Sequence, residues 1–260
     1  MTDGDETIRT NPAHLQEGFA CRLDWGRDGA RRAADAGDIL IVVDVLSFST
    51  AAATGVHHGA AIHPCADGEN AVELASLLRA EPAVGRADVP ERGRFSLSPL
   101  SWLGAAEGTR AVLASPNGAT CSRYAASVPA LFVGALVNAG AVARAATEEA
   151  SGSRAITVLA CGERWPAAGE DGMLRFAIED YLAAGAIIAG IDRPRSPEAE
   201  TCAAAFGAVR NDLQRIIREC GSGRELAARG FGADVEHAVR LNLYNTAAVV
   251  REGWIVAQRM

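Results

Sequence analysis

The sequence predicts an α/β protein: a mixed, largely parallel sheet sandwiched by helices in an α/β/α arrangement, followed by a mostly helical C-terminal part. Short apolar runs alternate with segments of helical spacing, and such alternation builds sheets covered by helices. The strongest run, Ile39–Val43, is apolar at every position, which suits a strand buried on both faces. The 260 residues, 49% hydrophobic and 22% charged, are enough chain and enough apolar surface for a sizeable core.

Taken in order, residues 1–37 are polar, with Asp24, Arg27, Asp28, Arg31 and Arg32 around Trp25, and read as a leader. The core, residues 38–195, opens with the strand at 39–43, which ends at Asp44; a helix follows through 51–53. A weaker strand fits 61–65. Asp67 is placed to cap the next helix, in which Ala71, Leu74, Ala75 and Leu78 share helical spacing. Residues 81–101 are rich in proline, glycine and charge and read as a long loop, a length that compact domains often reserve for lids. Strands follow at 110–114, 131–134 and 155–160, with helices opened by Asn117 and Asn138. A Gly/Pro-rich loop at 162–172 precedes the clearest helix, whose stripe is Leu174, Ile178, Leu182, Gly185 and Ile188. Residues 196–260 read as mostly helical and packed on the core, with a last strand at 254–257.

Charge and composition exclude whole classes of function. With 25 basic and 32 acidic residues the net charge is −7, which argues against nucleic-acid binding. Every basic residue is arginine, so lysine Schiff bases, pyridoxal-phosphate lysines and P-loop lysines are impossible. The six cysteines are widely spaced, with no Cys-x-x-Cys pair, and read as small buried hydrophobes in a reducing compartment. The first residues are acidic and lack an apolar run, unlike a signal peptide, and no apolar stretch is long enough to span a bilayer. The expectation is a cytoplasmic protein without membrane or nucleic-acid partners.

Chemistry is expected beyond the carboxyl ends of the strands, where open α/β sheets gather ligands and helix N-termini present N–H groups to anions. Asp44 closes an apolar run, and a strand-end carboxylate suits a hard cation or phosphoryl transfer; a cap for the following helix is the equal alternative. The hydroxyls of Ser47, Ser49 and Thr50 follow within one turn. Ser115-Pro116-Asn117-Gly118 is either a plain strand-to-helix turn or an oxyanion clasp, and Asn138 invites the same two readings. Glu163 and Arg164 lie at a third tip. Glu179 and Asp180 share a helix, where neighbours point about 100° apart, so at most one is expected to face a buried site. Glu91, Arg92 and Arg94 are placed to close over an anion or to sit in a solvated loop. No histidine occupies a recognisable catalytic position.

In order and rough spacing, Val42-Val43-Asp44-Val45-Leu46-Ser47-Phe48-Ser49-Thr50, Glu91-Arg92-Gly93, Ser98-Pro99, Ser115-Pro116-Asn117-Gly118, Asn138, and Glu179-Asp180 before Ala184-Gly185-Ala186 resemble the motifs of the 2-phosphosulfolactate phosphatases, over about residues 38–190. The resemblance implies an α/β/α fold and a magnesium-dependent phosphatase that releases phosphate from 2-phospho-3-sulfolactate, a step toward coenzyme M. It differs where the family carries arginine after Asp-Val-Leu, here Ser47, and where a hydroxyl residue is replaced by Ala119. The expected mechanism is phosphate monoester hydrolysis with Asp44 and Asp180 on Mg2+, and with Glu163 or Asp180 as a second ligand or water base. Ser47, Ser49, Thr50, Arg92, Ser115, Asn117, Gly118, Asn138 and Arg164 would hold a small anionic phosphorylated substrate. An aspartyl-phosphate on Asp44 is the variant, although Leu46 stands where such chemistry usually places a second aspartate. A binding protein without turnover and a thiol hydrolase built on Cys161 are the rivals, and a homodimer is the expected assembly.

Overall fold

The structure, a computed structural model, describes residues 12–150, 152–165 and 173–258. In chain order the elements are β1 (Cys21–Trp25), α1 (Gly26–Ala36), β2 (Ile39–Val43), α2 (Phe48–His57), β3 (Ala61–Cys65), α3 (Ala71–Leu78), β4 (Glu81–Pro82) and β5 (Arg110–Ala114). There follow α4 (Gly118–Tyr124), β6 (Ala130–Gly134), α5 (Ala139–Glu149), β7 (Ile156–Ala160), β8 (Glu163–Arg164), β9 (Leu174–Arg175) and α6 (Ile178–Ala189). The chain ends with α7 (Pro197–Val209), α8 (Leu213–Glu219), α9 (Gly221–Ala228), α10 (Gly232–Ala238) and the hairpin β10 (Ala248–Arg251) and β11 (Trp254–Ala257).

Nine strands form one sheet in the order β1-β7-β2-β6-β10-β11-β3-β5-β4. The groups β1-β7-β2-β6 and β3-β5-β4 are each parallel, and β10 and β11 join them through three antiparallel pairings. β2 is buried along its whole length, as its unbroken apolar sequence requires. Ile39, Ile41 and Val43 pack under α5 and α6, while Leu40 and Val42 pack under α1 and α4. Each such side chain is worth roughly 1.5–3 kcal/mol of burial.

Three reversals make the β3 group run opposite to β2. Five pairings separate β2 from β5, and ordinary sheet twist over five steps is ~100–125°. That rotation swings the second group back toward the first, and the tips of β2 and β5 meet: Gly118, just beyond β5, donates its N–H to the Asp44 carboxylate at 2.8 Å.

Several expectations change. Residues 21–36 are not a polar leader but an edge strand and a helix. In β1, Cys21 and Leu23 are buried while Arg22 and Asp24 are not, the alternation of a half-covered edge strand, and the polar members mask it in sequence. The leader's residues 1–11, and residues 166–172 of the expected 162–172 loop, lie outside the described residues. Asn70 rather than Asp67 caps α3, accepting from Val72 and Glu73 N–H. Leu174 belongs to β9, not to the helical stripe, which starts at Ile178. The C-terminal part is helical as expected up to residue 238, but β10 joins the expected last strand. Residues 81–101 are pinned down: Phe95 stacks on buried Trp102 at 4.3 Å, and Trp102 Nε1 donates to Ser96 O at 2.8 Å.

Candidate active site

The site grows from the ends of β2, β5 and β7 and the start of α6. Asp44 is buried at the tip of β2. Its Oδ2 accepts from Gly118 N at 2.8 Å and from the Ser115 hydroxyl at 3.2 Å, and its Oδ1 from Phe48 N at 3.4 Å. Glycine at 118 is required by this approach, because a β-carbon there would lie 2.3 Å from Phe48 Cδ1. Ser49 and Thr50 fasten the strand to the helix: Ser49 Oγ donates to Val42 O and accepts from Asp44 N, and Thr50 Oγ1 donates to Val45 O. These hydroxyls are spent on the backbone.

Asp180 sits across the tips of β2 and β7, accepting from Val45 N at 2.8 Å and Gly162 N at 2.9 Å. Its neighbour Glu179 is buried as well, at 2% and 3% exposure for the pair. The expectation that one of the two would meet solvent fails because the first turn of α6 is enclosed on both sides, by the sheet tips and by α9. Glu179 Oε2 accepts from the Cys220 thiol at 3.4 Å, and Glu163 Oε2 accepts from Asn117 Nδ2 at 3.0 Å.

Four carboxyl groups thus share one poorly hydrated place. Burial, with the charge of Glu179, pushes Asp44 above the ordinary carboxylate range despite its three donors. Burial, then Asp44 and Glu179, pushes Asp180 well above it. Glu163 is pushed up to about 7, by burial and then by Asp44. Such mutual repulsion among buried acids marks a candidate functional site. Among the described residues no three His, Cys, Asp or Glu side chains make a ready metal cage. The carboxylate oxygens of Asp44, Glu163, Glu179 and Asp180 are donors of the type that hard cations take.

Other expected residues fall elsewhere. Asn138 is fully buried and structural, accepting from Ala135 N and donating to Val133 O. Arg92 is an exposed side chain paired with Asp88 at 3.5 Å, and among the described residues no hydrogen bond or ion pair joins it to Asp44, Glu163, Glu179 or Asp180. Arg164 follows Glu163 on β8, half-buried. Burial, and then the neighbouring Cys121, push the Cys161 thiol well above the usual thiol range. Sequence reasoning missed Arg86. Its Nη2 donates to Ser47 Oγ at 2.5 Å and its Nε to buried Asp234 at 2.9 Å, so a guanidinium stands on the segment that follows Asp44. An arginine-rich loop was the only signal; Asp234 lies in α10, distant in sequence.

Comparison with known proteins first gives the class: the chain is an enzyme, a phosphoric monoester hydrolase. A family model described as 2-phosphosulpholactate phosphatase matches residues 28–253. A 2-phosphosulfolactate phosphatase of Methanothermobacter thermautotrophicus is 33% identical over 84% of this chain and 88% of its own. Proteins named probable 2-phosphosulfolactate phosphatase from Parasynechococcus marenigrum and Deinococcus radiodurans are each 30% identical, covering 77% and 79% of this chain and 84% of each relative. The chain belongs to the 2-phosphosulfolactate phosphatase family. Among the described residues no helix is long and apolar enough to cross a membrane.

Proposed function

We propose that this enzyme hydrolyses 2-phospho-3-sulfolactate to 3-sulfolactate and phosphate with magnesium bound. The observation that carries the reading is the buried group of Asp44, Glu163, Glu179 and Asp180 at the strand tips, in a chain whose relatives bear that substrate's name. Asp44 and Glu179 would hold the ion, because Glu179 Oε1 has no hydrogen bond among the described residues and Asp44 Oδ1 has only a long one. When bound, magnesium supplies charge that offsets the phosphoryl oxygens.

The chain's own groups do the rest. Glu163, with a pKa of about 7, is poised to take the proton of the attacking water at neutral pH, and Asn117 fixes its orientation. Asp180 fastens the tips of β2 and β7 and so sets the spacing of the carboxylates. Ser115 and Gly118 hold Asp44 in one rotamer, and Arg86 on Ser47 places positive charge beside it. The same proposal puts a homodimer in the cytoplasm, where the unpaired cysteines stay reduced.

The test is phosphate release from 2-phospho-3-sulfolactate and from other phosphorylated hydroxy acids, with magnesium and with a chelator. Magnesium-dependent release that favours the sulfonate is expected. Release favouring another acid would replace the substrate, and no release from folded protein would make the chain a binding protein.

A further inference from the structure

β1 ends level with the strand tips that carry the acids. Trp25 is in register with Ala160, and Ala160 with Val43, the residue before Asp44. The chain that leaves β1 therefore starts α1 at the end of the sheet where the carboxylates lie. Trp25 is fixed there by its ring, which stacks on that of Tyr181, the residue after Asp180, at 6.0 Å. Two residues on, Arg27 reaches across to the turn beyond β5. Its Nη2 donates to Pro116 O at 3.1 Å and to Asp67 Oδ2 at 3.2 Å, and its side chain is 11% exposed.

That turn, Ser115–Gly118, grips two of the four acids. Ser115 Oγ and Gly118 N donate to Asp44, and Asn117 Nδ2 donates to Glu163. These donors keep their aim only while the backbone that carries them is held. Ser115 N donates to Cys65 O at 3.2 Å, Ser115 O accepts from Thr120 Oγ1 at 3.1 Å, and Asn117 O accepts from Cys121 N at 2.8 Å. All of those ties run to β3 or to α4. Pro116 has no N–H to give, so its carbonyl is its one backbone handle, and the partner of that carbonyl among the described residues is Arg27. A guanidinium makes this a charge-assisted bond, stronger than one between neutral groups. Asp67 steadies the same guanidinium from the solvent side, and its own N–H donates to Thr120 Oγ1 at 2.9 Å, which closes the brace on α4.

We propose that Arg27 is a positioning residue for the site: through Pro116 O it holds Asn117 on Glu163, and Ser115 and Gly118 on Asp44. That this arrangement serves phosphate release rests on the function proposed above. The segment that reads in sequence as a polar leader is thus part of the scaffold that aligns the acids, and it ties the turn beyond β5 to the tips of β1 and β7.

The experiment compares wild type with Arg27→Met, Arg27→Lys and Asp67→Asn, each checked for native circular dichroism and melting. Two things are read: kcat and KM for 2-phospho-3-sulfolactate, and the exchange rate of the Gly118 amide by NMR, which reports whether the turn lies on Asp44. Loss of a charge-assisted bond predicts that Arg27→Met lowers kcat about tenfold or more and speeds Gly118 exchange by a similar factor, with KM within about twofold of wild type. Arg27→Lys should recover part of both losses. Asp67→Asn, whose amide oxygen still accepts, should stay near wild type in both. On an Asn117→Ala background, Arg27→Met should take away much less of kcat than it does from wild type, because the two act through one turn. An equal further loss there would make Arg27 merely structural and overturn the proposal. Unchanged kcat with unchanged exchange in folded Arg27→Met would also overturn it. If Arg27→Met does not fold, Arg27→Lys carries the comparison, and wild-type kcat and exchange in that variant would be the overturning result. Faster exchange in Arg27→Met with no hydrolysis by wild type would uphold the positioning and sink the proposed activity.

Discussion

Replacing Gly118 by alanine tests the join between the two halves of the sheet. The new methyl would sit 2.3 Å from Phe48 Cδ1 and 2.8 Å from Asp44 Oδ2, whereas carbon atoms rest at about 3.5–4.0 Å. Phe48 is fully buried at the start of α2, so the ring cannot retreat without moving the helix. Overpacking of this kind costs ~1–3 kcal/mol, and the Gly118–Asp44 bond, made to a carboxylate, is worth ~1.5–3 kcal/mol if the strain breaks it. A gain of ~0.5–1 kcal/mol from removing a helical glycine offsets part of this. The expected net loss is about 2–5 kcal/mol, a large share of an ordinary stability of ~5–15 kcal/mol. Urea unfolding would measure it, with kcat followed in parallel, since Asp44 loses its alignment. Gly207→Ala is the control: nothing lies within 4 Å of a β-carbon there, and this variant should be neutral or slightly stabilised. A loss below ~1 kcal/mol in Gly118→Ala with unchanged kcat would refute the claim that this close approach positions Asp44.

Asp44→Asn should abolish phosphate release while the protein stays folded; turnover near that of wild type would remove Asp44 from the mechanism. In chelated protein, Glu163 binds its proton more tightly folded, at about 7, than at the ordinary value of 4.5. Folding therefore loses stability as pH rises between those values, by up to about 3 kcal/mol. Magnesium should accordingly raise the melting temperature more at pH 8 than at pH 5, and equal shifts at the two would contradict the cation site. Arg86→Met strands buried Asp234 and should cost ~3–5 kcal/mol, measured by urea midpoint. Adding Asp234→Leu should recover most of that loss, and a further loss instead would show that the ion pair is not what holds residues 81–101 to α10.

The parts legible in the sequence were those decided locally. β2, β3 and β5 read to the residue because short apolar runs end at Asp44, in the turn after Cys65 and at Ser115. Asp44 stood out because a carboxylate at the end of such a run is costly unless it has a task. β1 escaped because an edge strand alternates with arginine and aspartate, and β10 because four residues carry little periodic signal. Asn117 and Asn138 look alike in sequence, each opening a helix after a strand. Only their partners separate them: a glutamate side chain for one, backbone groups for the other. Arg86 on Ser47, Cys220 on Glu179 and Arg27 on Pro116 are meetings across long stretches of chain, which spacing along a sequence does not encode.

The hairpin of β10 and β11 has a consequence for how the molecule is made. It follows both parallel groups in the chain and so leaves the ribosome after them, yet it occupies the middle of the sheet, between β6 and β3. Until it arrives, the two parallel groups are separate pieces, each ending in an open strand edge that can pair with another chain. The tips of β2 and β5 come together only through the twist summed across that hairpin. The half-made enzyme therefore has its carboxylates but not their alignment, and it gains an active site and loses its stickiest edges in the same closing step.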